Sequence, residues 1–480
     1  MSRFGSAGSR SVSALGFASL VALSALVVPA CSLTRTDVQE CELNSECREA
    51  FGIASLCGED GYCDVREDQE RCRVTFPGDF EENPGSYPDI VLVGTIINEA
   101  SEVHRARARA VEVAVQDTNE QGGLGGRDFG LVVCDNGDRP TTDSLDQNEA
   151  SVAVATWLRD VAQVAFIVGP PSSGSTLAVY EGVDDLLIIS PSASSDRLTG
   201  IDGESPTDAM PGTLWRTAVP DGQQAPRIAE DLNARGITQL AIVYASGPYG
   251  DSLAELVIEA LGEGVTVEEF PFATDGELGA HVTTVADRPV QEVLFISSDT
   301  PQIVSFVNAA GDRAGYADKS FFLTDAAGNA TFADGVTDEV VLARVRGTRP
   351  VQVVTPEFET FVSRYAIRFG TTDVRELSFT SNAFDAAWLG LYGMAWAVEN
   401  EPDLSARSIA SGLRKVTGGG ASVATTTPSS WATVQAEFAA GQAIEVSGAS
   451  GDLDYDPSTE ELSGNFEVWV VESGNIVAAP

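Results

Sequence analysis

Two short runs constrain the architecture most. Val164-Ala165-Phe166-Ile167-Val168 and Leu186-Leu187-Ile188-Ile189 are apolar at every position. A strand with one wet face alternates apolar and polar residues, whereas strands of a parallel sheet covered by helices on both faces read as unbroken apolar runs. Around these two, β-rich runs at 90–94 and 129–134 alternate with helical periods at 103–121 and 150–159, which is a βαβ rhythm. A second series begins after Val219-Pro220, with helices expected at 224–235 and 251–261 and strands at 240–244, 265–270 and 293–297. Further helices are predicted at 356–369, 384–400 and 404–413, then a terminal β-rich stretch at 466–471, while Gly418-Gly419-Gly420 and Thr425-Thr426-Thr427 read as loop. A chain of 480 residues exceeds one ordinary core. The expectation is an α/β protein with two doubly wound parallel-sheet lobes.

The first thirty residues carry Arg3 and Arg10, an apolar run over 14–28 and a small residue before a cysteine, which reads as an export signal too short to span a bilayer comfortably. Val28-Pro29-Ala30-Cys31 resembles a bacterial lipobox, with Pro29 a less usual second residue. That resemblance implies acylation of Cys31 as the mature N-terminus. Ser32 stands where an inner-membrane retention signal would place Asp, which implies a periplasm-facing outer-membrane anchor.

Cys31 apart, six cysteines remain: Cys41, Cys47, Cys57, Cys63, Cys72 and Cys134. An even number in an exported chain suits disulfides. Five crowd into 41–72 beside Asp60-Gly61 turn chemistry, so residues 31–73 are expected to form a small module stapled by bridges. Zinc fits poorly, because no two cysteines have knuckle spacing and no histidine lies nearby. Cys134 is left either to pair with one of the five, Cys72 among them, or to remain a buried thiol. Residues 74–88, acidic and carrying Pro77, Gly78, Pro84, Gly85 and Pro88, read as a linker. Whether the module binds a partner or serves as a spacer is open, with the spacer favoured.

With 71 acids against 29 bases the formal charge is -42, which excludes nucleic acid and anionic lipid as natural partners. Only two histidines and two lysines are present; His104 and His281 read as surface residues. There is no Gly-x-Ser-x-Gly elbow, no His-Glu-x-x-His and no phosphate loop, and the glycines at 122–126 follow a helix, the reverse of a dinucleotide fingerprint. Neither an enzyme, a cofactor nor a metal site is expected.

In open α/β sheets, ligands sit at the carboxyl ends of strands. Two turns there are rich in serine: Gly169-Pro170-Pro171-Ser172-Ser173-Gly174-Ser175-Thr176 and Ser190-Pro191-Ser192-Ala193-Ser194-Ser195. Each suits helix capping or an anion, and the pair together suits an anion. With the helix Arg109-Ala110-Val111-Glu112-Val113-Ala114 leading to Asn119-Glu120-Gln121-Gly122-Gly123, Ala245-Ser246-Gly247-Pro248-Tyr249-Gly250, and Gly451-Asp452-Leu453-Asp454-Tyr455-Asp456, the order of motifs from Asp89 onward resembles the leucine/isoleucine/valine-binding family of class I periplasmic binding proteins.

The resemblance implies that Ser173, Ser192 and Ser194 face an α-carboxylate, that Tyr249 packs on the ligand, and that Asp325 pairs with an α-ammonium. Asp299 stands where the family usually has an aromatic; it either faces the ligand, pointing to a cationic or polar solute, or caps the helix after Pro301, the favoured role. The family's disulfide beside the first binding turn would fall at Asp138 and Ser172, and whether Cys134 replaces it is open. Lobes of 89–217 with 349–444, and 218–348 with 445–480, are expected, crossing near 216–219, 344–349 and 443–447. The function implied is capture of an amino acid or related amine or amide by lobe closure for an ABC-type permease, with an orphan ligand sensor as the alternative.

Overall fold

The computed structural model describes residues 39–480 except 140–141, 204–205, 371–372 and 417–421. The export signal, Cys31 and the Gly418-Gly419-Gly420 loop lie outside the described residues. No helix among the described residues is long and apolar enough to cross a membrane.

Two separate sheets carry the fold. The first has six strands in the order Cys72–Phe76, Phe129–Asp135, Val91–Ile97, Ile167–Val168, Ile188–Ser190, Leu214–Arg216, all parallel except the first pair. The second has seven, in the order Thr266–Phe272, Gln239–Ala245, Glu292–Ile296, Ser320–Leu323, Val345–Pro350, Phe466–Glu472, Asn475–Ala478; the first five are parallel and the last two antiparallel. The unbroken apolar runs are where the sequence placed them, in the middle of a sheet covered on both faces. Ile188 packs into one apolar cluster and Ile189 into another, on opposite sides of the first sheet.

Helix Thr380–Asn400 is buried over most of its length, which its composition requires: the run Ala386-Ala387-Trp388-Leu389-Gly390-Leu391 leaves no polar face. It lies between helices Glu102–Glu120 and Ala406–Val416 in the core of the first lobe. Small residues permit the close fit, since a Cβ on Gly412 would sit 2.6 Å from the Gly393 carbonyl oxygen. The fold is that expected: two doubly wound α/β lobes preceded by a disulfide-bonded segment.

That segment departs from expectation in packing against the first lobe. Disulfides join Cys41 to Cys57, Cys47 to Cys63 and Cys72 to Cys134. The second staples helix Asn44–Phe51 to the hairpin of Ser55–Cys57 and Cys63–Val65, and the first ties the residue stretch ahead of that helix to the same hairpin. The third joins neighbouring strands of the first sheet. The module is docked on the first lobe: Arg48 Nη2 donates to Ala162 O at 3.1 Å, Asn44 Nδ2 to Gln163 Oε1 at 2.9 Å, and Trp157 Nε1 to Glu67 O at 3.1 Å. Ala54 joins the apolar cluster of Val154, Leu158 and Val161. The residues read as a linker are likewise part of the lobe, because Cys72–Phe76 adds an edge strand and Phe80, 1% exposed, fills the core beneath it.

The chain passes between lobes three times. It leaves the first after Leu214–Arg216 for helix Asp221–Ala234, returns after Val345–Pro350 to helix Pro356–Phe369, and crosses finally before Phe466–Glu472. The crossing expected at 443–447 is displaced, since Ile444, Val446, Leu453, Tyr455 and Leu462 all pack in the first core. Ile444–Ser447 is instead a short strand that pairs with Ser422–Thr425 of the same lobe.

Candidate ligand site between the lobes

Strand ends from both sheets converge on a cavity of about 220 Å³. Ser173, Ser192 and Ser194 line it from the first lobe, and Tyr249, Asp299 and Asp325 from the second, so all six residues singled out in the sequence line one cavity. Ser173 opens helix Ser173–Gly182, while the cap is Ser172, whose hydroxyl accepts from Ser175 N at 3.2 Å. Ser173 Oγ accepts from Ser195 N at 3.2 Å, which ties the two serine-rich turns together.

On the second lobe, Asp325 follows strand Ser320–Leu323 and is buried. Tyr249 Oη donates to Asp325 Oδ1 at 2.8 Å and lies 2.9 Å from Thr324 Oγ1. Burial pushes the Asp325 carboxyl up from the usual aspartate value, and the Tyr249 hydrogen bond and the charge of Arg107 pull it partly back. Asp221 lies wholly buried nearby with neither carboxylate oxygen in a hydrogen bond of ordinary geometry; burial, then the charge of Asp325, holds its carboxyl well above the usual range.

Asp299 is not the cap that its position before Pro301 suggested. It is the N-cap residue of helix Thr300–Gly311, yet its side chain makes no capping bond. Pro301, at the second helical position, has no N–H to offer it. The carboxylate instead lines the exposed rim of the cavity, held up from its ordinary value by the surrounding protein and by Asp275.

Three cavity residues escaped the sequence reading. His104 is no surface residue: it lines the cavity, its Nδ1 faces Asn98 N at 3.4 Å, and burial with the nearby Arg107 charge pushes its pKa well down. Arg107 lies one turn on, 7% exposed, with Nε donating to Ser378 O at 3.1 Å and Nη1 to Ser192 Oγ at 2.9 Å. Its carbon Cζ is 5.2 Å from the centre of the Phe379 ring, the third missed residue, whose φ of 62° puts a bulky side chain in the left-handed region. The helical period did hold a signal for Arg107, which shares the buried face with Val103, Ala110, Val111 and Ala114.

The lobes also meet at residues next to Ser194 and Tyr249. Ser195 Oγ donates to Pro248 O at 2.6 Å, and Arg197 reaches Glu255 at 3.3 Å and Asp251 at 3.7 Å. Behind Phe379 a second cavity, about 320 Å³, follows all three crossings along Val219, Val351 and Gly464.

A sequence profile of the periplasmic binding proteins matches residues 98–446. The chain belongs to the periplasmic binding protein family. It is therefore a member of a family of binding proteins and not of enzymes, as its lack of catalytic constellations suggested. Among relatives of this periplasmic binding protein, the substrate-binding protein of a chemotactic signal transduction system in Halobacterium salinarum is 26% identical over 386 residues, spanning 76% of this chain and 82% of the relative. The Leu/Ile/Val-binding protein of Escherichia coli K12 is 27% identical over 192 residues, 39% of this chain and 48% of that protein. Among solved structures, the leucine-binding protein of Thermotoga maritima superposes with a TM-score of 0.62 at 16% identity, covering 81% of this chain and 98% of the other. The branched-chain amino acid transporter substrate-binding protein of Streptococcus pneumoniae, in complex with isoleucine, gives 0.60 at 17% identity with the same coverage. These two likenesses concern the fold.

Proposed function

We propose that this protein captures an amino acid, or a solute with the same amine and acid groups, by closing its lobes around it. The observation that carries the reading is the split of chemistry across the cavity: serine hydroxyls and a guanidinium on one lobe, a buried carboxylate on the other. Donors suit a carboxylate and Asp325 suits an ammonium. The relative named for leucine, isoleucine and valine supports the same class of ligand. In this reading Ser173 and Ser194 face the acid, Tyr249 and Asp325 the amine, and Asp299 guards the rim.

Export and lipidation at Cys31 complete the proposal, with the protein held at the periplasmic side of a bacterial outer membrane and delivering its solute to an ABC-type permease. A second reading, a receptor that reports the solute without importing it, is favoured by the relative named for chemotaxis. Its partner would be a signalling protein.

Isothermal titration of the full mature chain against the common L-amino acids tests the core claim. At least one is expected to bind, and Asp325→Ala to weaken it by about 100-fold, as loss of one partner of a buried charge pair does. Binding that survives this substitution unchanged would discard the amine assignment. Radiolabelled palmitate incorporation, lost in Cys31→Ser, tests the anchor.

A further inference from the structure

We propose that Arg107 is the charge partner of the ligand's carboxylate, and that Ser192 is a positioning residue that holds Arg107 and leaves the ligand untouched. The inference rests on the amino-acid reading above and deepens it, because it makes a free carboxylate obligatory and excludes amides, simple amines and uncharged solutes.

Arg107 projects from helix Glu102–Glu120 into the cavity wall and is 7% exposed. The partners that hold it are the Ser378 carbonyl, the Ser192 hydroxyl and the face of Phe379. None carries a negative charge. A buried cation whose hydrogen-bond partners are all neutral is costly to keep, and a carboxylate arriving to pair with it would offset that cost. The three contacts fix Nε, Nη1 and the ring face, so the guanidinium is oriented before any ligand enters and its planar fork suits a carboxylate. Such fixing lowers the ordering cost of binding.

Ser192 is already spent. Its Oγ donates its only proton to Pro171 O at 2.7 Å and accepts from Arg107 Nη1 at 2.9 Å. It has no proton left for a carboxylate. Its effect on a ligand therefore runs through Arg107.

The charges of the cavity give Arg107 its weight in selection. Among the described residues, Asp138, Asp299 and Asp325 line the same space with a single guanidinium, that of Arg107, and burial disfavours the charged form of His104. An ammonium entering the cleft has a choice of acids. A carboxylate has Arg107 alone, and an amide in its place leaves that guanidinium buried and unpaired. Arg107 and Asp325 stand on opposite lobes, close enough for each charge to act on the other. A zwitterion is the ligand that satisfies both as the lobes close.

The test is calorimetric titration of the full mature chain with the twenty common L-amino acids and, for each binder, its α-carboxamide. For the wild type the amide is expected to bind about 100-fold more weakly than the acid. In Arg107→Gln the acid should lose about 100-fold while the amide changes little, so the ratio falls below about 10. Arg107→Lys, which keeps the charge without the fork, should retain an intermediate ratio and serves if the glutamine variant fails to fold. Ser192→Ala should weaken the acid about 10-fold and leave the amide unchanged. If the wild type does not distinguish acid from amide, or either Arg107 variant keeps both affinity and ratio, Arg107 is structural and the proposal fails while the amino-acid site stands. Equal losses for acid and amide in Ser192→Ala would place Ser192 on the ligand and overturn that half. If no amino acid binds the wild type, the amino-acid reading itself fails and takes this one with it.

Discussion

Arg216 and Glu461 form a buried ion pair that joins the first crossing between the lobes to the last. The same guanidinium donates to Ala193 O at 3.2 Å, Ser195 O at 2.8 Å and Thr199 Oγ1 at 2.8 Å, so one side chain fixes both the hinge and the second serine-rich turn. Tyr455 Oη adds a bond to the Arg216 carbonyl at 2.8 Å.

Glu461→Gln leaves Arg216 buried without its counter-ion. Removing one partner of a buried pair costs about 3 kcal/mol or more. Urea denaturation should therefore show a lower midpoint with little change in slope, and a midpoint within error of the wild type would contradict this role.

The Cys72–Cys134 bridge closes 62 residues of chain across paired strands at the edge of the first sheet. Replacing both cysteines with serine should lower stability by about 2–4 kcal/mol, chiefly by freeing the unfolded chain. The measurement is chemical denaturation under oxidising conditions with the two module bridges intact.

Affinity should depend on pH through Asp325. Burial raises its carboxyl above the ordinary aspartate value, against the pull of Tyr249 and Arg107. A protonated Asp325 cannot pair with an ammonium, so binding should hold steady near neutrality and weaken as pH falls through that raised value, by about tenfold per unit once below it. For the empty protein the sign reverses. The native state holds this proton more tightly than the unfolded one, so the contribution to stability is full below the ordinary aspartate value and is lost as pH rises through the raised one. Titration calorimetry across pH should show the slope in the wild type and none in Asp325→Asn.

The Arg197 contacts with Glu255 and Asp251 join the two lobes at half-exposed or exposed positions. Exposed pairs contribute about 0–1 kcal/mol, so Arg197→Ala should speed ligand release by no more than about fivefold in stopped-flow experiments, with the wild type approaching the variant at high salt.

How far the sequence disclosed this structure depended on how apolar each element was. Val164–Val168 and Leu186–Ile189 announced a covered sheet because nothing polar interrupts them. Strand Val345–Pro350 was invisible, since it carries Arg346, Gly347 and Arg349; Arg346 pairs with Asp231, and Gly347 makes room for Trp469, whose Cζ2 would lie 2.5 Å from a Cβ there. The edge strand Cys72–Phe76 hid within acidic, proline-rich sequence, and only Phe80 hinted that the segment had a core to fill. Within the site, the loop serines were legible from their place after strands, and Asp325 through the family resemblance. Arg107 was not, because an arginine on a buried helical face reads as an exception until the cavity beside it is seen.

The docking of the cysteine module on the first lobe alone has a mechanical consequence. Its bonds to Gln163, Ala162 and Trp157 all end on that lobe. In the anchored, closing protein proposed above, the first lobe would be the stator. Closure would then be a swing of the second lobe, and a partner that senses the loaded state would find its moving landmark there.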